Sequence, residues 1–124
     1  MLLRLLLLIM FPAMIWAQTP ALREVVMRKF DNGKPHVVLY FDAKDELVKE
    51  HVYFANGNTA WIGHYKNDLE DGSWEFYWEN GKLKSREYYS KGKEDGVCQY
   101  FDENGKKIKE VVWKNGKLIE ETKF

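Results

Sequence analysis

The sequence predicts an all-β protein, an elongated antiparallel β-meander built from repeated β-hairpins of about 24 residues each. Asn-Gly pairs recur at a constant separation, as from Asn56 to Asn80, and we call this separation the repeat step. Aromatic residues recur with the same step. The runs between the pairs alternate polar and apolar residues and show no helical period. Together these patterns favour about nine short strands joined by turns.

The composition limits the class of protein. The chain has 124 residues, enough for one small domain, and its 19 basic and 19 acidic residues give a formal net charge of zero. This balance argues against nucleic-acid binding, and there is no polybasic stretch for an anionic membrane. At 45% hydrophobic and 31% charged residues the chain is expected to fold, and its 15% aromatic content is high.

Residues 1–17 are predicted to be a signal peptide. Arg4 is followed by the apolar run from Leu5 to Ala17, interrupted only by Pro12. A membrane-spanning helix needs about 20 apolar residues, so this shorter run fits the apolar core of a signal peptide, with small Ala17 before the cleavage site. No second apolar segment follows. We therefore expect an exported protein, periplasmic or extracellular, with no membrane span after cleavage.

The remaining chain divides into a lead-in strand, 18–29, and a repeat domain, 30–124. The predicted repeat turns are Asn32, Gly33, Asn56, Gly57, Asn80, Gly81, Asn104 and Gly105. Asn-Gly favours a two-residue hairpin turn because both residues accept a positive φ. Asp71-Gly72 and Asp95-Gly96 are expected to mark a second, longer turn in the two middle units. The stretch 43–46 lacks glycine, so a different turn is expected there.

The aromatic residues supply both the expected core and the candidate binding residues. One column that follows the repeat step is the expected core: Phe41, Tyr65, Tyr89 and Trp113. A single-layer sheet cannot bury both faces, and several other aromatic residues do not fit one column. The candidate binding residues are Trp61, Trp74, Trp78 and Tyr88. Rows of exposed aromatic residues bind partner proteins or stack on sugars.

The sequence contains no recognisable catalytic or metal-binding motif. Its three histidines have no metal-ligand spacing, and Glu75 and Glu79 would stand roughly 13 Å apart on a strand, too far for a glycosidase pair. Cys98 is the only cysteine, so no internal disulfide is possible, and a buried, inert thiol is expected. We therefore predict no catalytic residue, no metal and no cofactor.

Two motifs resemble those of the bacterial MORN-repeat-variant proteins: Tyr77-Trp78-Glu79-Asn80-Gly81-Lys82-Leu83 and Asp71-Gly72-Ser73-Trp74. The resemblance extends over about residues 30–124 and is best over 53–117. It implies a β-hairpin meander with no known catalytic machinery. Some such proteins are labelled YwqK-type antitoxins, which implies neutralisation of a toxin by binding it. An exported form would suit a periplasmic immunity protein or another envelope-located binding module.

These observations predict an exported, non-enzymatic module that binds a protein partner, with an immunity or antitoxin-type role as its narrower form. Two alternatives stay open. The aromatic richness also fits a module that binds envelope polysaccharide or peptidoglycan, with cell-wall glycan as its ligand. The unpaired edges of an open meander also fit a structural protein that associates with itself.

Overall fold

A computed structural model describes residues 20–124. These residues form a single antiparallel sheet, and no helix occurs among them. The strands are β1 (Arg23–Lys29), β2 (Pro35–Phe41), β3 (Leu47–Tyr53), β4 (Thr59–Lys66), β5 (Leu69–Tyr77), β6 (Leu83–Ser90), β7 (Lys93–Glu94), β8 (Gly96–Phe101), β9 (Lys107–Lys114) and β10 (Lys117–Lys123). The predicted all-β meander of hairpins is confirmed. The predicted signal peptide, 1–17, lies outside the described residues.

Strand order in the sheet follows strand order in the sequence. The path runs β1-β2-β3-β4-β5-β6-β8-β9-β10, and the two-residue β7 pairs with β6 next to β8. One repeat step therefore contains two main strands and returns the chain to the same end of the sheet. The four Asn-Gly pairs with this spacing consequently lie at one end, one above another.

The turns at this end have three residues, not the predicted two. At Glu79–Gly81 the amide of Gly81 donates to the carbonyl of Trp78 (2.9 Å), and the amide of Trp78 donates to the carbonyl of Lys82 (2.8 Å). Gly81 has φ +86°, whereas Asn80 is not among the residues with positive φ. The loop is thus a type I turn followed by a glycine bulge, which requires a positive φ at the glycine alone. The predicted two-residue geometry is wrong here.

The opposite end carries the two-residue turns. Asn67-Asp68, Lys91-Gly92 and Asn115-Gly116 each have positive φ at both residues, the pattern of a type I′ turn. The glycine-free turn at 43–46 differs from them, as expected. It is a three-residue loop in which Asp45, with φ 67°, takes the place of the glycine.

Asp71-Gly72 forms a bulge within β5, and Asp95-Gly96 forms a bulge between β7 and β8, so the prediction of a second turn at these residues is wrong. Gly72 has φ +103° and lies inside β5, where the register against β4 shifts. Gly96 has φ +131° and begins β8. The tight turns at 67–68 and 91–92 close their hairpins early. The extra residues are then accommodated as bulges in the strand.

Hydrogen bonds join successive turns at the Asn-Gly end. The side-chain amide of Asn56 donates to the carbonyl of Glu79, and that of Asn80 donates to the carbonyl of Glu103, both at 2.9 Å. In the last of these turns, the Asp102 carboxylate accepts from the amides of Asn104 and Lys106. This capping role explains why an aspartate replaces the aromatic residue found at this point in the other units.

The fully buried positions are occupied by small side chains. The buried apolar residues are Val38, Val52, Ala60, Cys98 and Val111. The predicted core column of larger aromatic residues is only half-buried, because one sheet has no second layer to cover those rings. Cys98 is 1% exposed, and burial raises the pKa of its thiol.

Candidate functional site

A row of four register partners crosses the middle of the sheet. It runs from Glu50 on β3 through Gly63 on β4 and Trp74 on β5 to Glu87 on β6. Partners in register point to the same side of a sheet, so these four positions share one face. We call this side of the sheet the Trp74 face.

The indole of Trp74 lies flat on the backbone of Gly63. A Cβ atom at position 63 would stand 2.6 Å from three atoms of the indole ring, Cε2, Cζ2 and Cη2. The equal distances show that a face of the ring, and not an edge, covers the glycine. The indole Nε1–H donates to the carbonyl of His64 at 3.2 Å, which fixes the orientation of the ring.

Two tyrosines that are one repeat step apart flank this indole. The ring of Tyr65 meets Trp74 edge-on at a centroid distance of 5.4 Å, and that of Tyr89 does so at 6.0 Å. We call Tyr65, Trp74 and Tyr89 the Trp74 cage. All three side chains are half-buried, so a ligand can reach them from the open side of the sheet.

Each tyrosine of the cage hydrogen-bonds a carboxylate of the central row. The Tyr65 hydroxyl donates to Glu50 and the Tyr89 hydroxyl donates to Glu87, both at 3.2 Å. Burial, with the charge of Glu50 as the next cause, raises the pKa of Tyr65 to about 12. Burial and the charge of Glu87 likewise raise the pKa of Tyr89. Both hydroxyls therefore stay protonated at neutral pH and hold the carboxylates beside the indole.

Further aromatic rings continue the surface toward the Asn-Gly end. Phe76 stacks beside Trp74 at a centroid distance of 6.2 Å, and Trp61 lies 6.4 Å from Phe76. An open cleft of about 280 Å³ adjoins them, lined by Phe54, Ala60, Trp61, Phe76, Tyr77 and Lys84. The cage and this cleft form one aromatic surface.

The candidate residues from the sequence fall in three places. Trp61 and Trp74 lie on the Trp74 face and are linked through Phe76. Trp78 lies at the turn, where its Nε1–H donates to the carbonyl of Phe101 at 3.3 Å and the Lys84 ammonium covers its ring. Tyr88 pairs with Ser73, next to the Trp74–Glu87 pair in the ladder, and so points to the opposite face. The structure brings together only the first two.

Sequence reasoning missed Gly63 and the two glutamates, and it assigned both tyrosines to the core. The separation of the tyrosines by one repeat step was the available signal, because it predicts that they stand at equivalent places two strands apart. It does not reveal that Trp74 lies between them. That relation depends on the register of β4 against β5.

The face opposite the cage carries several pairs of polar side chains. Arg86 pairs with Glu75 across β5 and β6 at 3.0 Å, and the Gln99 side chain donates to Glu110 across β8 and β9 at 3.3 Å. Within residues 20–124, no group of three or more His, Cys, Asp or Glu side chains could hold a metal ion. No helix of this part of the chain is long and apolar enough to cross a membrane.

The comparison with protein families agrees with the repeat seen in the structure. Residues 70–91 and 94–115 each match the family model described as the MORN repeat variant. These two stretches are similar to MORN-variant repeats. Such repeats are binding and structural modules. A comparison with curated proteins finds no match.

The two matched stretches differ at the cage. The first contains Trp74 and Tyr89, whereas the second has Cys98 and Trp113 at the corresponding positions. The position of Gly63 is taken by Glu87 one unit later. Among the glycines of residues 20–124, Gly63 alone has an indole ring as its nearest neighbour. The cage therefore forms at one place in the described repeat array.

Proposed function

We propose that this chain is an exported, non-enzymatic module that binds a protein partner through the Trp74 face. The observation that carries the proposal is the continuous aromatic surface from the Trp74 cage to Trp61. Its rings are only half-buried, because no second layer covers this face of the sheet. Aromatic side chains bury large areas at low conformational cost and are enriched in binding hot spots. The predicted signal peptide, residues 1–17, supports export.

The narrower form of the proposal is an immunity or antitoxin-type role, in which the partner is a toxin acting in the envelope. The predicted signal peptide supports this form, because an exported module would meet such a toxin in the envelope. Its test is co-expression with the captured partner. Protection of the host from that partner, and loss of protection with a variant of the Trp74 face, is the expected result.

The first experiment is capture from an envelope extract of the native host on the immobilised protein, followed by mass spectrometry. We expect one protein to be retained in near-stoichiometric amount. Retention should be lost with Trp61→Ala and kept with Tyr88→Ala, because Tyr88 lies on the opposite face. Equal loss with both variants, or retention with both, would contradict binding through the Trp74 face.

The flat indole of Trp74 favours a second candidate, binding of envelope polysaccharide or peptidoglycan, because sugar rings stack on flat aromatic faces. Co-sedimentation with insoluble cell wall tests it. Binding to cell wall that is lost with Trp61→Ala, together with capture of no protein, would replace the protein-binding proposal with this one.

The outer edges of the sheet favour self-association as the remaining alternative. Leu118 and Ile119 on β10 are 51% and 59% exposed, and Met27 on β1 is 61% exposed. Unpaired edge strands with exposed apolar residues can pair with another copy. Sedimentation equilibrium decides this point: a stable oligomer that persists in Trp61→Ala would show a structural role independent of the Trp74 face.

A further inference from the structure

The Trp74 indole has one face on the sheet and one face turned away from it. One face of the ring covers Gly63, so the other faces away from the sheet. The π-cloud makes the face of an aromatic ring negative and attracts a cation placed over it, most strongly for tryptophan. The two tyrosine rings stand at 74° and 64° to the indole and form walls beside this floor.

The carboxylates on the two sides of the indole add negative charge to the same place. Glu50 and Glu87 are the outer members of the central row, and each is held toward the cage by a tyrosine hydroxyl. Neither glutamate takes part in an ion pair with a described residue. Their charge is therefore available to a ligand that lies over Trp74.

Several other rings of this chain are covered by its own cations. The covered rings are Tyr40 by Lys49, Phe41 by Arg23, Trp78 by Lys84, Tyr100 by Lys109 and Phe124 by Lys107, at 4.0–4.5 Å from the ring centroids. Within residues 20–124 no cation lies in this way over Trp74, although it is the ring with carboxylates on both sides. The cage offers a cation site that the chain itself does not fill.

We propose that the Trp74 cage binds a lysine or arginine side chain presented by a basic segment of the partner protein. This inference rests on the proposed protein-binding function and specifies the chemistry of the partner. The aromatic floor supplies the cation–π contact, and the two glutamates supply the charge complementarity. The neighbouring aromatic surface at Phe76 and Trp61 takes the apolar residues of the same segment.

The test uses the full chain and two defined probes, pentalysine and pentalysine with every side-chain amine acetylated. The probes share a backbone and differ in charge. Fluorescence anisotropy of labelled probe gives the affinity, and the Nε1–H resonance of Trp74 in an NMR titration gives the place of binding. We expect saturable binding of pentalysine that shifts Trp74 and leaves Trp113 unshifted. We expect binding of the acetylated probe to be about ten-fold weaker or weaker still.

Two variants examine the two parts of the cage separately. Trp74→Phe keeps a ring but weakens the cation–π contact, and Glu50→Gln with Glu87→Gln keeps the hydrogen-bond acceptors but removes the charge. Each should weaken binding of pentalysine by about three- to ten-fold. Glu110→Gln, which removes an acidic charge from the opposite face, is the matched control and should leave the affinity unchanged.

Three results would overturn the inference: equal affinity for the two probes, a Trp74 resonance that does not move, or a control variant that weakens binding as much as the cage variants. The capture experiment and the pentalysine titration together distinguish a failure of the cation site from a failure of the proposed function. A captured partner whose retention is unaffected by the two glutamine changes would keep protein binding and remove the cation site. Saturable pentalysine binding at Trp74 without any captured protein would keep the site and remove the proposed function.

Discussion

Gly63 and Trp74 are register partners on neighbouring strands, and the indole of Trp74 occupies the space that a side chain at position 63 would need. Because Gly63 has no side chain, the indole of Trp74 can lie flat on the backbone at this position. Trp74 in turn touches Tyr65, Phe76 and Tyr89. The positions of several rings on the Trp74 face therefore depend on this glycine.

Gly63→Ala should destabilise the protein by about 1–3 kcal/mol, because the new Cβ would stand 2.6 Å from the indole and the ring must move. Urea unfolding gives the change, and near-ultraviolet circular dichroism reports the displaced ring. A double-mutant cycle with Trp74→Leu is the control. In that background Gly63→Ala should cost little stability. An equal loss of stability in both backgrounds would show that contact with the indole is not the cause.

Gly81→Val should cost about 1–2 kcal/mol, because a β-branched residue would have to adopt the φ of +86° found at Gly81. The adjacent Lys82→Val is the control, since Lys82 is not among the residues with positive φ. The measurement is the urea midpoint of each variant. Unfolding of Gly81→Val at the wild-type midpoint would contradict the glycine-bulge geometry of this turn.

Asn80→Ala should destabilise the protein by about 1–2 kcal/mol, because the side chain holds two turns together. Its amide donates to the carbonyl of Glu103, and its oxygen accepts from the amide of Lys82, both at 2.9 Å. Asn104→Ala is the matched control, since the hydrogen bonds described for Asn104 use its backbone. A thermal or urea scan in which both variants lose equal stability would show that the link between turns contributes nothing.

Stability should fall in acid through Glu75. Its pKa lies below the ordinary 4.5, first because the Tyr77 hydroxyl donates to it at 2.6 Å and then because Arg86 does so at 3.0 Å. The unfolded chain binds the proton more readily than the folded protein does. The stabilisation is therefore complete above about pH 4.5 and is lost as the pH falls through the lower pKa of the folded state.

The measurement is urea unfolding from pH 7 to pH 3 with Glu75→Gln for comparison. Because both partners are partly exposed to solvent, the contribution should be about 1 kcal/mol or less. Glu75→Gln should flatten the fall in stability below pH 4.5. An unchanged pH profile in this variant would show that another carboxyl group is responsible.

The sequence predicted a meander of short strands and turns at the four Asn-Gly pairs that follow the repeat step, but it did not predict the turn types. Trp78–Leu83 and Trp113–Leu118 differ by only one residue, glutamate against lysine after the tryptophan. The first forms a three-residue loop and the second a two-residue turn. The residues of this turn are compatible with both loop lengths, and the register of the flanking strands determines which one forms.

The candidate site was predicted in part for a similar reason. Trp74 stood out as an aromatic residue outside the main column, whereas Tyr65 and Tyr89, which are one repeat step apart, were assigned to the core. Glu50 lies a full repeat step before Trp74 in the sequence and Gly63 lies about half a step before it, and neither separation identifies them as its neighbours. They meet because the register of three strands places them in one row.

The side-chain link from one Asn-Gly turn to the next, present at Asn56 and Asn80, has a consequence for how proteins of this kind change in size. Asn56 and Asn80 make the same bond to the unit that follows. A duplicated or deleted repeat unit would leave every remaining bond of this series with a suitable partner. A change of one residue within a strand would turn the following side chains over to the wrong face. Length in this architecture therefore varies in whole units, and the Trp74 cage stays intact whenever units are added or lost beyond the strands that form it.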